Sequence, residues 1–145
     1  MPVWVQQGYQ EYAKRMPAEV SLQLHAVPLQ KRYANQPTEK QQAKESQLML
    51  QAIPANAYSV ALDVKGKAYT TDTLAQRFSH WSQQSANIAL LIGGPEGLSN
   101  DCLTQAQERW SLSTLTLPHP IVRVVLAEAL YRAWTVTQGH PYHRA

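Results

Sequence analysis

The chain has 145 residues, of which 44% are apolar and 16% charged, a composition typical of a globular domain and not of a disordered chain. We expect residues 1–145 to form a single domain. Thirteen Lys and Arg against ten Asp and Glu give a net charge of +3, which permits a polyanionic partner without requiring one. Cys102 is the only cysteine, which excludes an internal disulfide and a zinc site of paired cysteines.

The N-terminus and the apolar runs favour a cytoplasmic protein. Residues 1–7 lack a basic segment followed by an apolar one, so they do not resemble a signal peptide. The longest apolar stretch, Ile88–Ile92, is far shorter than the ~20 residues that a membrane span needs. A single cysteine also suits a reducing compartment.

Helical and strand patterns follow one another in the first third of the chain. Residues 2–16 place apolar side chains at helical spacing, and Pro17 ends the pattern. Residues 20–27 alternate apolar and polar side chains, which predicts a half-buried strand. Thr38–Gln41 matches a capping box and predicts a helix that runs towards Ile53.

The middle of the chain repeats the alternation of strand and helix. Residues 58–63 predict a short strand, and a helix begins after Thr71 or Asp72, with apolar side chains on one face. Ile88–Ile92 is continuously apolar, which is typical of a strand buried on both faces. A helix over residues 99–107 follows.

The C-terminal third predicts a strand over residues 112–117 and a long helix over residues 121–138 that ends at Gly139. The segment between them is Pro118-His119-Pro120. Strands that alternate with helices predict an α/β fold with a mostly parallel sheet flanked by helices. The last helix is apolar on nearly all sides, so it must be covered on more than one side. We expect a second copy of the chain to supply part of this cover.

The segment Gly93-Gly94-Pro95-Glu96-Gly97 is the first candidate for chemistry. Glycines directly after a buried strand let a ligand approach the main chain. The spacing is not Gly-x-Gly-x-x-Gly and no Gly-Lys-Ser/Thr follows, so neither a dinucleotide site nor a P-loop is indicated. A turn without a ligand explains this segment equally well.

The last residues form the second candidate. Tyr142, His143 and Arg144 place a phenol, an imidazole and a guanidinium at a chain end, where side chains are usually solvated. Together they supply the stacking, proton transfer and phosphate contact that an RNA site uses. Four further residues could extend a basic surface: Lys31, Arg32, Arg123 and Arg132.

Five segments together resemble a known family, the bacterial ribosomal RNA large subunit methyltransferase H family of the SPOUT superfamily. These enzymes methylate N3 of a pseudouridine in 23S ribosomal RNA. The resemblance covers the chain from about Met1 to the C-terminus and is most specific in its C-terminal half. The segments are Leu90–Leu98, Leu112–His119, Arg123–Glu128, Tyr131–Trp134 and His140–Arg144.

The resemblance implies a SPOUT-type α/β knot, in which the C-terminal segment threads a loop as a deep trefoil knot, an exception to the usual absence of knots. It also implies a homodimer through the last helix. S-adenosylmethionine would be bound in the knot, without a metal. The contacts implied by the family pattern are Leu62, Gly93, Leu112, Ser113, Thr114, Leu115, Thr116 and Leu117.

The implied reaction takes place on the assembled ribosome, at a pseudouridine in a hairpin loop. The N3 of pseudouridine belongs to an imide and must lose its proton to become a good nucleophile. His143 is our first candidate for the base and Glu96 the second. Tyr142 and Arg144 would position the base or stabilise the developing oxyanion.

The chain departs from the family pattern at its start. Family members begin with an apolar strand of about ten residues before the segment that matches Met1, and a missing strand exposes a sheet edge or leaves a groove uncovered. Two alternatives therefore stay open. One is a SPOUT methyltransferase that acts on another RNA, such as transfer RNA. The other is a non-enzymatic RNA-binding or ribosome assembly factor.

Overall fold

The computed structural model describes residues 2–27, 38–94 and 97–144. The side chains of Thr38, His143 and Arg144 lie outside this description, as do Lys31, Arg32 and Glu96 entirely. In chain order the elements are α1 (Val3–Ala13), a 3₁₀ turn (Ala18–Val20), α2 (Thr38–Ala52), β1 (Tyr58–Ala68), α3 (Thr71–Gln84), β2 (Ile88–Leu91), α4 (Asn100–Gln105), β3 (Glu108–Ser111), α5 (His119–Thr137) and a second 3₁₀ turn (Pro141–Arg144).

The three strands form a parallel sheet in the order β2-β1-β3. Ala61 of β1 pairs with Leu91 of β2, and Leu62 pairs with Trp110 of β3. Helix α3 connects β1 to β2, and α4 connects β2 to β3 in the opposite direction across the sheet. Because such crossovers are right-handed, α3 and α4 lie on opposite faces. The predicted parallel sheet flanked by helices is confirmed.

The central strand β1 is irregular in its second half. Its pairing with β3 is interrupted after Leu62 and resumes at Lys67, which faces Trp110 as Leu62 does. Gly66 lies in this interruption, where an added Cβ would come within 2.7 Å of the Arg109 carbonyl carbon. Only glycine lets β1 pass so close to the backbone of β3.

The main core lies where α3 and α5 pack against the sheet. Val60 of β1 is buried there with Phe78 and Trp81 of α3 and with Leu126 and Leu130 of α5. The predicted helix α3 is present, but its cap is Thr70 and not Thr71 or Asp72, because the Thr70 hydroxyl accepts a hydrogen bond of 3.1 Å from the Thr73 N–H. Its apolar stripe follows the predicted helical spacing.

Helix α5 is covered on two sides by the same chain. It contacts both α3 and α1, and an added Cβ at Gly8 of α1 would lie 3.2 Å from the side chain of Val124. Much of the apolar surface of α5 that we expect a second copy to cover is therefore buried against α1 and α3 of the same chain. Three large apolar side chains of α1 and α5 stay exposed: Val3, Trp4 and Val125.

Two predicted strands are wrong. Residues 21–27 follow a 3₁₀ turn and make no strand pairing with the described part of the chain, since alternation alone forms no strand without a neighbour. The third strand is Glu108–Ser111, and residues 112–117 form a loop. There the Ser111 hydroxyl donates to the Ser113 carbonyl at 2.9 Å, and the Leu115 N–H donates to the Ser113 hydroxyl at 2.9 Å. Such local bonds compete with sheet pairing.

Helix α4 packs against α2. Ser99 caps α4 by accepting a hydrogen bond of 3.3 Å from the Cys102 N–H. The Cys102 side chain is fully buried, with its sulfur 4.0 Å from the Ser46 carbonyl oxygen of α2.

In the described ranges, no helix is both long and apolar enough to cross a membrane.

A largely buried carboxylate, on a side chain that is 12% exposed, joins β1 and β3 to α3. Glu108 accepts hydrogen bonds from the hydroxyls of Tyr58 and Tyr69 at 2.8 Å each and from the indole N–H of Trp81 at 3.0 Å. It also pairs with Arg77. Four donors around one carboxylate fix the relative position of three elements, because removing the acceptor leaves buried donors unsatisfied.

We expect Glu108→Ala to lower the free energy of unfolding by about 2–4 kcal/mol, because it leaves these donors and the Arg77 charge without an acceptor. Urea unfolding measures the change. The exposed Glu39 of α2 provides a control, and Glu39→Ala should change stability by less than about 0.5 kcal/mol. Equal effects of the two substitutions would show that the carboxylate does not hold the elements together.

Candidate functional site

Two predicted cofactor segments lie at the same edge of the sheet. Gly93 follows the end of β2 at Leu91, and Leu112 follows the end of β3 at Ser111. Because the strands are parallel, these ends lie at the carboxyl edge, where open α/β sheets bind ligands. Only β1 separates β2 from β3, so the segments begin about two strand spacings apart, ~10 Å.

The glycine segment is a tight turn. The Gly97 N–H donates a hydrogen bond of 2.9 Å to the Gly94 carbonyl. An added Cβ at Gly93 would lie 2.5 Å from the carbonyl carbon of Gly97, and Gly97 itself has a φ of +76°. The first glycine is needed for space and the second for its left-handed conformation.

The loop after β3 presents polar and apolar groups to solvent. Thr114 and Thr116 are exposed, and Leu115 is 70% exposed although it is a large apolar residue. Leu62 is half-buried in β1, beside Trp110. An exposed leucine between hydroxyl groups at a ligand-binding edge is suited to contact a flat organic ring.

A cavity of about 780 Å³ opens beside the glycine turn. Gly93 and Gly94 border it, as do His119 and Arg123 of α5, whereas Leu62 and residues 112–117 do not. Burial, and secondly the charge of Arg123, lower the pKa of His119, so its imidazole is neutral at pH 7. No role for His119 follows from the sequence alone, although the Pro-His-Pro segment marks its position.

Tyr142 of the C-terminal tail is anchored on α5. Its hydroxyl donates a hydrogen bond of 3.1 Å to Glu128, which also pairs with Arg132 at 2.7 Å. The Arg132 guanidinium lies 5.0 Å from the centre of the Tyr142 ring, and the Tyr131 ring centre lies 4.7 Å away. Burial, followed by the contact with Glu128, raises the pKa of Tyr142 to about 12. This phenol stays protonated at neutral pH.

Helix α1 also holds the tail. The Arg15 guanidinium lies 5.3 Å from the ring centre of Tyr12, 5.6 Å from that of Tyr131 and 5.9 Å from that of Tyr142. A cation surrounded by ring faces is attracted to each of them. The tail is thereby bound to both terminal helices of the chain.

The remaining predicted catalytic side chains are not placed by the structure. The main chain of His143 and Arg144 belongs to the 3₁₀ turn that begins at Pro141, but their side chains and all of Glu96 lie outside the described residues. Within the parts of the chain that are described, no group of three His, Cys, Asp or Glu side chains could hold a metal ion.

Comparison with known proteins assigns this α/β arrangement to a class. The family described as "Predicted SPOUT methyltransferase" matches residues 1–143. This chain belongs to the SPOUT methyltransferase family. The match and the parallel sheet confirm the predicted fold class, a SPOUT-type α/β knot.

Curated relatives cover nearly the whole chain. A protein of Saccharophagus degradans is 52% identical over 144 residues, which are 99% of this chain and 93% of that protein. A Hahella chejuensis protein is 51% identical over 99% of this chain and 92% of its own length. A Dichelobacter nodosus protein is 49% identical over 100% of this chain and 93% of its own length. All three are named "Ribosomal RNA large subunit methyltransferase H", which confirms the resemblance.

The two glycines of the turn should respond differently to alanine. We expect Gly93→Ala to lower the unfolding free energy by about 2 kcal/mol or more, because its methyl group meets backbone that cannot move aside. Gly97→Ala meets open space and should cost about 1 kcal/mol through its left-handed backbone. Urea unfolding of both variants measures this difference. A Gly93→Ala protein as stable as the Gly97→Ala protein would refute the close packing of the turn.

Proposed function

We propose that this chain transfers a methyl group from S-adenosylmethionine to N3 of a pseudouridine in a hairpin loop of 23S ribosomal RNA. The reaction takes place on the assembled ribosome in the cytoplasm. Family membership and the shared name of the relatives support this proposal. The structural observation that carries it is the common sheet edge of the Gly93 turn and the 112–117 loop.

The residues at this edge suit the cofactor. Bound S-adenosylmethionine supplies an electrophilic methyl group. Gly93 lies in the tight turn that follows β2 at this edge, and Leu115 offers an exposed apolar surface for an adenine ring. The full set proposed to hold the cofactor is Leu62, Gly93, Leu112, Ser113, Thr114, Leu115, Thr116 and Leu117.

The protein must also remove a proton from N3 and keep the base in line with the methyl group. His143 is proposed to accept this proton, with Glu96 as the second candidate. A positioned base contributes about 10²–10⁴-fold to such a step, and alignment contributes more. Arg144 is proposed to stabilise negative charge on the oxygen beside N3.

The state of Tyr142 favours a positioning role over a basic one. A phenol with a pKa of about 12 does not accept a proton from N3 at neutral pH. Its hydroxyl already donates a hydrogen bond to Glu128, and its ring contacts the Arg132 guanidinium. These contacts hold the turn that carries His143 against α5, which supports Tyr142 as the anchor of the proposed base.

Methyl transfer from labelled S-adenosylmethionine to ribosomes that lack the modification tests the function. We expect incorporation at one pseudouridine, located by mass mapping, and calorimetric binding of S-adenosylhomocysteine. His143→Ala should lower kcat at least about 100-fold without loss of this binding. The control is His80→Gln, because His80 contacts Tyr58 at the opposite edge of the sheet, and it should keep full activity.

Each outcome has a separate meaning. Absence of S-adenosylhomocysteine binding at high micromolar concentration would favour a non-enzymatic RNA-binding or assembly factor. Binding of the ligand with methylation of a different RNA would overturn the substrate but keep the chemistry. Unchanged turnover of His143→Ala would exclude His143 as the base.

We further propose a homodimer through the exposed apolar side chains of α1 and α5. Val3 is 67% exposed, Trp4 55% and Val125 37%, and α1 and α5 pack against each other. Adjacent helices that expose apolar groups form a patch typical of a subunit interface. In such a dimer we propose that the tail of one copy completes the site of the other.

Sedimentation velocity at micromolar concentration should show a dimer. Trp4→Glu should raise the dimer dissociation constant at least about tenfold, because it places a charge in an apolar contact. Val64→Glu is a matched control at a 54% exposed valine of β1 and should leave the dimer intact. A folded monomer at these concentrations would contradict the proposal.

A further inference from the structure

Strand β1 bulges out of the sheet beside the proposed cofactor edge. Leu62 and Lys67 both pair with Trp110 of β3, so residues 63–66 leave the ladder with β3 and the strand rejoins it at the same partner. We call residues 63–66 the β1 bulge. Trp110 lies two residues before Leu112, where the 112–117 loop begins. The β1 bulge therefore adjoins two segments that are proposed to hold the cofactor.

The tip of the β1 bulge is exposed. Val64 is 54% exposed and Lys65 is exposed as well, whereas Leu62 before them is half-buried. The Lys65 N–H donates a hydrogen bond of 3.4 Å to the Asp63 carboxylate, which closes a local turn. Bulges re-aim side chains and are frequent next to active sites. This one carries a lysine into solvent beside the cofactor edge.

Three basic residues meet at the β1 bulge. Lys65 and Lys67 flank Gly66, and an added Cβ at Gly66 would lie 2.7 Å from the Arg109 carbonyl carbon. The main chain between the two lysines thus touches the main chain of the arginine. All three basic side chains are exposed. Their charges share one small surface at the base and tip of the bulge.

These cations have no carboxylate partner in the part of the chain that the structure describes. Lys65, Lys67 and Arg109 take part in none of the ion pairs found there. The Arg109 Nε–H donates to the Leu103 carbonyl at 3.3 Å, which leaves its charge uncompensated. Like charges held close together repel one another, and an anionic ligand relieves this repulsion. By contrast, four other cations are ion-paired: Lys14, Arg15, Arg77 and Arg132.

The acidic residues of the same strand segments are occupied. Asp63 accepts the Lys65 N–H within the bulge. Glu108 accepts the hydrogen bonds of two tyrosines and a tryptophan and pairs with Arg77. The β1 bulge and Arg109 therefore form a local excess of positive charge beside the cofactor edge. Such an excess is the electrostatic mark of a nucleic-acid contact.

We propose that Lys65, Lys67 and Arg109 bind phosphates of the single-stranded RNA that flanks the target nucleotide. The inference rests on the function proposed above, because it takes the reacting base to lie at the cofactor edge. The backbone of such a nucleotide passes the β1 bulge, where lysines neutralise phosphates as point charges and arginine binds two phosphate oxygens. Contacts of this kind position a strand without reading its sequence. They raise the affinity for RNA and take no part in methyl transfer.

The test measures the binding of a fluorescent oligouridine of about twelve nucleotides by anisotropy over a range of KCl concentrations. Each phosphate contact to a single strand contributes about 0.7 to the slope of log K against log salt concentration. We therefore expect Lys65→Gln/Lys67→Gln to reduce this slope by about 1.4 and to lower the affinity at low salt at least about tenfold. Lys65→Arg/Lys67→Arg should keep the slope, because it keeps both charges.

Lys40→Gln/Lys44→Gln is the matched control. Both lysines are exposed on α2, so this double substitution removes the same charge from a different element. It should leave the slope unchanged. Equal losses in the two glutamine variants would show a general effect of net charge and would overturn the site. An unchanged slope in the bulge variant, or no salt-dependent binding by the unaltered chain, would overturn it as well.

Methyl-transfer kinetics separate this site from the proposed function. On ribosomes that lack the modification, Lys65→Gln/Lys67→Gln should raise KM at least about tenfold with kcat nearly unchanged, and S-adenosylhomocysteine should bind as before. Methylation by this variant with an unchanged KM would refute the site and keep the function. Loss of oligouridine binding in this variant, with no methylation of any RNA by the unaltered chain, would keep the site and refute the function.

Discussion

The central position of β1 is the constraint on which the rest of the structure depends. It pairs with β2 on one side and β3 on the other, and the chain must cross over it to connect those two strands. The crossovers place helices on both faces and bring two loops to one edge. Because all three strands are parallel, the glycine turn and the 112–117 loop lie at the same edge, separated by the width of β1.

The two ends of the sheet are stabilised by different means. At the amino end, the Glu108 carboxylate of β3 links this strand to β1 and α3. It pairs with Arg77 and accepts hydrogen bonds from Tyr58, Tyr69 and Trp81. At the carboxyl end, backbone closeness at Gly93 and local hydroxyl bonds at Ser113 shape the loops. Rigidity at one end leaves the other free to be formed by loops, which is where function usually resides.

Much of the fold could be predicted from local sequence. The apolar run at β2, the apolar stripe of α3 and the long apolar helix α5 each carry their own signal. The failures concern strand partners. Residues 20–27 alternate as a strand does, but local sequence does not show whether another strand pairs with them, and none of the described strands does. Residues 112–117 alternate too, yet Ser113 bonds to its own main chain.

The candidate site was predictable only in part for a related reason. Parallel strands place Gly93 and Leu112 at one edge wherever the sheet forms, so the loops follow from the strand pattern. The environment of Tyr142 does not follow from the strand pattern, because Glu128 and Arg132 come from α5 and Arg15 comes from α1. Contacts between residues far apart in sequence decide that its phenol is neutral and fixed.

The burial of Cys102 has a practical consequence. Its sulfur lies beneath α2 with no exposed surface, so thiol reagents have no access to it in the folded protein. A cysteine introduced at an exposed position such as Gln84, at the end of α3, becomes the only reactive thiol. A single fluorophore can then be attached at a chosen place without first removing the natural cysteine from the core.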